Sequence, residues 1–171
     1  MELNISDALH QNGAKFPFAF EENFQNFEYL GRLISFAESV SFAGEYTYDG
    51  KSLFVTGRIR TAFHSNCAKC NDSFVEAFSC EYEEVFHNSA LEFVDEDEEC
   101  YTFSGDSVKL DKSVMDNILL QMPMTSYCKE DCKGICPVCG TNLNYSTCNC
   151  KQYEDKSPFN ELLNIKFDNN D

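Results

Sequence analysis

The chain has 171 residues, enough for one domain of ordinary size with a real core, and its sixteen Phe and eight Tyr supply that core without any Trp. Twenty-nine acidic against thirteen basic residues leave a formal net charge of −16, which argues against the chain coating a nucleic-acid backbone, since that requires clustered Lys and Arg. A basic protein partner, or solubility alone, suits such a charge better.

In chain order, "MELNISDALHQNGAKF" has neither the basic n-region nor the apolar h-region of a signal peptide, and no apolar run has membrane-spanning length. The expectation is a reducing cytoplasm without membrane association, where disulfides are rare. "KFPFAF" reads as a short or edge strand, and "FQNFEYLGRLISF" fits helix and strand templates equally.

From Glu38 the pattern sharpens. Val40, Phe42, Tyr46 and Tyr48 alternate with polar residues, and Asp49–Gly50 follows as a hairpin signal expected to place both residues at positive φ. The return strand sets Leu53, Val55, Ile59 and Phe63 on one face and Arg58 and Arg60 on the other. A third strand turns Phe74, Phe78, Cys80, Tyr82 and Phe86 inward, with Cys80 a packed core thiol. Asp95 to Glu99 is an unbroken acidic run, read as a solvated or disordered loop, and Cys100 beside it has no evident mate. "LDKSVMDNILLQMP" reads as a short amphipathic helix. Asp111 is its N-cap, Leu110 and Met115 a hydrophobic staple, Val114, Met115, Ile118 and Met122 its apolar side, and Pro123 its stop. The tail is expected to form one or two helical turns around Pro158 to Ile165.

The fold class expected is α+β, an antiparallel β-meander packed with a short helix, plus a C-terminal cysteine-rich zinc-binding module. The boundaries are 1–127 for the sheet domain, with an acidic loop near 88–106, 128–151 for the zinc module and 152–171 for the tail.

Eight of the ten cysteines fall into four close pairs: Cys67 and Cys70, Cys128 and Cys132, Cys136 and Cys139, Cys148 and Cys150. Short spacing lets two thiolates reach one ion, and zinc takes four ligands in a tetrahedron, so four pairs fill two sites. "CPVCG" is the strongest knuckle and is closest to Cys148–Cys150, giving a local ribbon-like site. Cys128–Cys132 then shares a zinc with Cys67–Cys70. The alternative places Cys128, Cys132, Cys136 and Cys139 in one site. Zinc ranks above an iron–sulfur cluster and above dithiol chemistry at Cys136 and Cys139, with disulfides last. Thiolate-only sets describe closed structural sites, and no phosphate loop, Gly-x-Ser-x-Gly or His-Glu-x-x-His is present, so no enzyme is expected. His64 is a spare ligand at most, and His10 and His87 join no constellation. Lys129, Lys133 and Lys151 punctuate the ribbon, and Arg58, Arg60 and His64 share a strand face, but these patches are small against a negative body.

"LFVTGRIRTAF" leading into "CAKC", the acidic loop, the helix ending in "MPM" and the tail motif "CKGICPVCG-NLN-C-C" together resemble the YceD family over most of the chain. The resemblance implies a role in accumulation of large-subunit ribosomal RNA, in bacteria and plastids. The family's gene often neighbours that of a small, basic large-subunit ribosomal protein. Ribosome biogenesis is therefore the expected function, with a basic large-subunit ribosomal protein or pre-ribosomal particle as partner. A zinc-ribbon RNA-binding protein is the alternative, and a thiol redox or metal-handling protein a further one.

Overall fold

The alternation that begins at Val40 extends into strands longer than the sequence pattern suggests. A computed structural model describes residues 1–29, 31–90 and 100–150. In chain order it places β1 (Glu2–Asn4), α1 (Ser6–His10), β2 (Lys15–Glu22), β3 (Phe27–Tyr29), β4 (Arg32–Ile34), β5 (Val40–Tyr48), β6 (Ser52–Asn66), β7 (Ser73–Asn88), β8 (Tyr101–Phe103), β9 (Ser107–Lys109) and α2 (Asp111–Gln121). The fold is mostly β, with antiparallel and mixed sheets and few helices. The main sheet has five strands in the order β2-β5-β6-β7-β8. Its first four are antiparallel and β8 joins in parallel, while β1–β9 and β3–β4 are separate two-stranded ribbons. The expected meander is the centre of this sheet, β5 to β7.

One face of the sheet is buried. Val40, Phe42, Leu53, Val55 and Ile59 are fully sequestered, and Tyr82 and Phe86 nearly so. Phe42 meets Tyr82 at 4.6 Å between ring centroids and Phe18 at 4.7 Å edge to face, which fixes the register across β2, β5 and β7 through the aromatic preference for offset and T-shaped contacts. Leu3 and Val108 of the β1–β9 ribbon, Ala8 of α1, and Val114 and Ile118 of α2 close over the same core. On the other face Arg58, Arg60 and His64 are exposed, while Ala62 between them is buried. Cys80 is buried in the core, where loss of water pushes its thiol up to about 11.

Several local expectations need correction. "FQNFEYLGRLISF" is neither helix nor one strand but the β3–β4 hairpin, with Phe27 opposite Ile34. In the β5–β6 turn Gly50 carries the positive φ (104°), and among the described residues Asn71 is the sole non-glycine there. Asp49 instead accepts the Lys51 and Ser52 amides on Oδ1, both at 2.8 Å, so its role is the side-chain turn that Asp makes with the backbone two residues on. Asp111 is not the N-cap. Leu110 occupies that position without a side-chain cap bond, and the Asp111 carboxylate accepts from the Met1 ammonium at 2.6 Å. Met115 is only half-buried, while Ser113 and Asn117 are buried with Val114 and Ile118. Polar residues face the sheet because they bond to it. Tyr82 OH donates to Ser113 Oγ at 2.7 Å, Asn117 Nδ2 to Glu84 Oε1 at 2.7 Å, and Gln121 Nε2 to the Glu81 carbonyl at 2.9 Å. Pro123 ends α2 as expected. It forces Met122 into extended backbone (ψ 133°), as a residue before proline requires.

Of the acidic loop near 88–106, residues 88–90 and 100–106 are described, Asn88 ending β7 and 100–106 carrying β8 and a turn, whereas the run Asp95–Glu99 lies outside the described residues, as does the tail with Pro158 to Ile165. Among the described residues no helix is long and apolar enough to cross a membrane.

Candidate metal centres

Three bonds hold α2 along β7, and that docking sets where the chain after Pro123 arrives. The Ala68 amide donates to the Ser126 carbonyl at 2.8 Å, so the segment entering Cys128 lies against the tip of the β6–β7 hairpin, where Cys67 and Cys70 sit. The result is a tetrad, Cys67, Cys70, Cys128 and Cys132, whose sulfurs all lie within 4.8 Å of one another. Cys67 Sγ is 3.7 Å from Cys132 Sγ, and Cys70 Sγ is 3.7 Å from Cys128 Sγ. A disulfide needs about 2.05 Å. A tetrahedral ion with four sulfurs about 2.3 Å away gives an edge of about 3.8 Å. A second tetrad, Cys136, Cys139, Cys148 and Cys150, forms within the cysteine-rich segment that follows. The structure thus separates Cys128 and Cys132 from Cys136 and Cys139 rather than joining them. Cys100 is in neither tetrad, and His64 stays exposed on β6.

Two knuckles share one backbone solution. The Asn71 amide donates to the Cys67 carbonyl at 2.8 Å, and the Gly140 amide to the Cys136 carbonyl at 2.9 Å. Asn71 (φ 62°) and Gly140 (φ 72°) both take the left-handed region, open to glycine and, among the rest, most readily to asparagine. That turn aims main-chain N–H groups at sulfur. Cys70 receives the Asp72 amide, Cys132 the Gly134 amide, Cys139 the Thr141 amide and Cys148 the Cys150 amide, each two residues on. Donors of this kind favour thiolate over thiol.

The environments of the two tetrads differ. Cys67, Cys70 and Cys132 are buried and Cys128 half-buried, with Phe74 of β7 packed on them; in the second, Cys139 is exposed and Cys148 and Cys150 half-exposed. Burial opposes ionisation of Cys67, yet the amides of Cys128, Cys70 and Lys69 outweigh it and draw the thiol down to about 6. Its neighbour Cys70 is pushed up, first by burial and then by the adjoining sulfurs. Cys139 is drawn down to about 6 by the Thr141 hydroxyl and amide, while Cys150 is pushed up to about 12, chiefly by Cys139. In the first cluster Cys67 and Cys132 are drawn down while Cys70 and Cys128 are pushed up, and in the second Cys139 is drawn down while Cys148 and Cys150 are pushed up. Neither therefore favours four thiolates together, because like charges repel at these distances. A dication removes that conflict, and both donor sets fit one.

A polar strap joins the two knuckles. Asp72, two residues past Cys70, accepts from Asn142 Nδ2 on both carboxylate oxygens at 3.0 Å and from Tyr145 OH at 3.0 Å. These bonds, Tyr145 foremost, hold its carboxyl below the ordinary range. Asn144 donates from Nδ2 to Cys132 Sγ at 3.4 Å and accepts the Lys133 amide on Oδ1 at 3.0 Å. The main chain adds Ile135 N to Lys69 O at 3.1 Å. Sequence reasoning gave Asp72, Asn142, Asn144 and Tyr145 no role. The available signal was "NLN" itself, two amides at alternate positions between cysteine pairs.

Comparison with known proteins agrees with these landmarks. The model of the family described as "Large ribosomal RNA subunit accumulation protein YceD" matches residues 55–166, which include all eight cysteines of the tetrads. The chain is similar to the chloroplastic "Large ribosomal RNA subunit accumulation protein YCED homolog 1" of Arabidopsis thaliana. Identity there is 23% over 144 residues, covering 68% of this chain and 45% of the relative. The homologue of that name in Zea mays is 40% identical over 45 residues, 26% of this chain and 15% of the relative. An uncharacterized protein of Mycobacterium tuberculosis is 26% identical over 95 residues, 54% of this chain and 46% of its own length. The chain spans about half the length or less of the curated relatives it matches. No solved structure matches it. With well over half of its residues under the family model, from near the start of β6 through both tetrads, the chain belongs to the YceD family.

Proposed function

We propose that this chain is a non-enzymatic ribosome-biogenesis factor that supports accumulation of large-subunit ribosomal RNA by binding a basic ribosomal protein or an assembly intermediate. The supporting observation is a conjunction. The family is described by ribosomal RNA accumulation, yet the chain carries a formal charge of −16. An acidic body shields a basic protein before assembly and protects RNA indirectly, because undelivered proteins leave it open to nucleases. Zinc is the metal that suits both tetrads. Cys67, Cys70, Cys128 and Cys132 would hold one ion, and Cys136, Cys139, Cys148 and Cys150 the other. Bound there, zinc supplies structure, since thiolates take every position of the tetrahedron. Four thiolates on one dication carry roughly −2, so two loaded sites deepen the negative charge.

A ribbon that touches RNA directly is the second reading, supported by Lys69, Lys129 and Lys133 around the knuckles. Lys69 is already engaged over the Tyr127 ring at 5.1 Å, and Lys129 lies 3.9 Å from Asp131, which weakens it. The test is native mass spectrometry of the protein captured gently from its own cytoplasm, in RNase-treated and untreated halves. Two zincs per chain and a small basic ribosomal protein that survives RNase are expected. Partners that vanish with RNase would transfer the function to direct RNA contact.

A further inference from the structure

The two edges of the central sheet are built differently. Edge strand β2, "KFPFAFEE", carries Pro17, which has no N–H to offer, and charges at Lys15, Glu21 and Glu22. Those are ordinary devices against strand addition. At the other edge β8 covers only Phe86 to Asn88. Among the described residues no main-chain group bonds the outer edge of β7 from Ser73 to Val85. One side chain among the described residues reaches it, Gln121 on the Glu81 carbonyl. Because that carbonyl points outward, and alternate residues of an antiparallel strand turn both main-chain groups to one side, Val75, Ala77 and Ser79 also present their N–H and C=O outward. The stretch "SFVEAFS" there has one charge, no proline, and a Val75 that is 55% exposed.

The space beside this edge is shaped. A groove of about 250 Å³ runs along Ala77 and Ser79 and is walled by Phe63, Phe78 and Pro123 together with the polar Glu76 and Gln121. On the opposite, solvent face of β7 the exposed carboxylates of Glu81, which pairs with Arg58 of β6, and of Glu83 follow Ser79 in the same row. A strand laid against β7 therefore meets, on one side, a groove where Phe63, Phe78 and Pro123 stand beside Glu76 and Gln121, and acidic groups on the other. A segment of alternating apolar and basic residues satisfies both.

We infer that the free edge of β7 at Val75, Ala77 and Ser79 takes an extended segment of a basic partner protein as an added strand, its apolar residues in the groove and its Lys or Arg beside Glu81 and Glu83. Main-chain bonds give such docking its affinity and the alternating side chains its specificity. The inference names the surface and mode for the binding role proposed above, and rests on that role for its biological partner.

The test uses the full chain as isolated and a synthetic peptide of alternating valine and lysine, about eight residues long, enough for a typical strand. Binding is read by fluorescence anisotropy and by amide hydrogen exchange. The expected result is at least tenfold slower exchange at Val75, Ala77 and Ser79 on binding. N-methylation of the peptide residues whose amides face β7 should weaken binding at least tenfold, while methylation of the alternate set leaves it unchanged. The double variant Val75→Lys and Ala77→Lys, both at exposed positions, should also bind at least tenfold more weakly, with its metal content unaltered. Any of these results overturns the inference: no binding at millimolar peptide, equal loss from both methylation patterns, protection elsewhere on the chain, or amides at 75, 77 and 79 already slow before peptide is added. Self-association through this edge, seen as a dimer that the double variant abolishes, overturns it in favour of a second copy. If native capture yields no basic protein while the peptide protects the three amides, the proposed function fails and the docking mode stands. If the double variant still captures a basic protein, the docking mode fails and the proposed function stands.

Discussion

At single positions, the left-handed residues closing the knuckles show what was legible and what was not. Gly140 after "CPVC" announces its conformation, because glycine is the default at positive φ. Asn71 does the same task after "CAKC", and asparagine appears in too many settings to reveal it. Replacing Asn71 by Ala keeps the Cβ in the left-handed region and removes the polar side chain that eases it, at about 1 kcal/mol. We expect Asn71→Ala to weaken metal binding about fivefold at the hairpin-tip tetrad and Asn71→Gly to leave it unchanged or tighter, as read by chelator competition. A larger loss in Asn71→Gly would mean that the side chain, not the backbone, matters. In the core, the Tyr82–Ser113 bond was equally hidden, since a tyrosine in an apolar row reads as bulk. Tyr82→Phe leaves the buried Ser113 oxygen short of a donor and should lower stability by about 1–2 kcal/mol in urea unfolding.

Among elements, strands with a polar side and an apolar side were readable because only one face of the sheet is covered. The β3–β4 ribbon was not. Three-residue strands hold too few alternations to separate a period of 2 from one of 3.6. The apolar stripe of α2 was half right for a different reason. Ser113, Asn117 and Gln121 point at β7 to satisfy polar groups there, which hydropathy counts as outward. The β5–β6 turn yields a prediction with a pH sign. Asp49 is held below the ordinary carboxylate range, first by the Ser52 amide and then by that of Lys51. A depressed folded value means the stabilisation is present above the unfolded pKa of about 3.9 and is lost as pH falls through the folded one. Because the turn is exposed, Asp49→Ala should lower stability at neutral pH by only about 0.5–1 kcal/mol. That gap should shrink as the pair of proteins is taken below the ordinary carboxylate pKa of about 3.9 and close as pH falls through the folded value. A gap independent of pH would assign the loss to the chain rather than to the carboxylate.

Across the whole molecule, pairing Cys67–Cys70 with Cys128–Cys132 was inferable by elimination from spacing, but its consequence was not: the tetrad closes a loop of the chain across the core. Cys67 and Cys132 stand 65 residues apart, joined through β7 and α2, whereas the second tetrad closes only a short stretch of the cysteine-rich segment. A link that closes a long loop removes more entropy from the unfolded chain than one closing a short loop. Exposure points the same way, because a chelator reaches Cys139 before it reaches Cys67, 2% exposed. Metal removal should therefore run in two phases. The first equivalent leaves from Cys136, Cys139, Cys148 and Cys150 with little change in the far-ultraviolet dichroism of the sheet. The second leaves more slowly and lowers the melting temperature of the domain, since the β6–β7 tip and the segment after α2 then part. Cys139→Ser should abolish only the first phase and Cys67→Ser only the second, with Cys67→Ser the more destabilised in thermal melts. Simultaneous loss of both ions from the wild-type chain would show that the strap through Asp72, Asn142 and Tyr145 couples the knuckles strongly enough to make one cooperative unit of two sites.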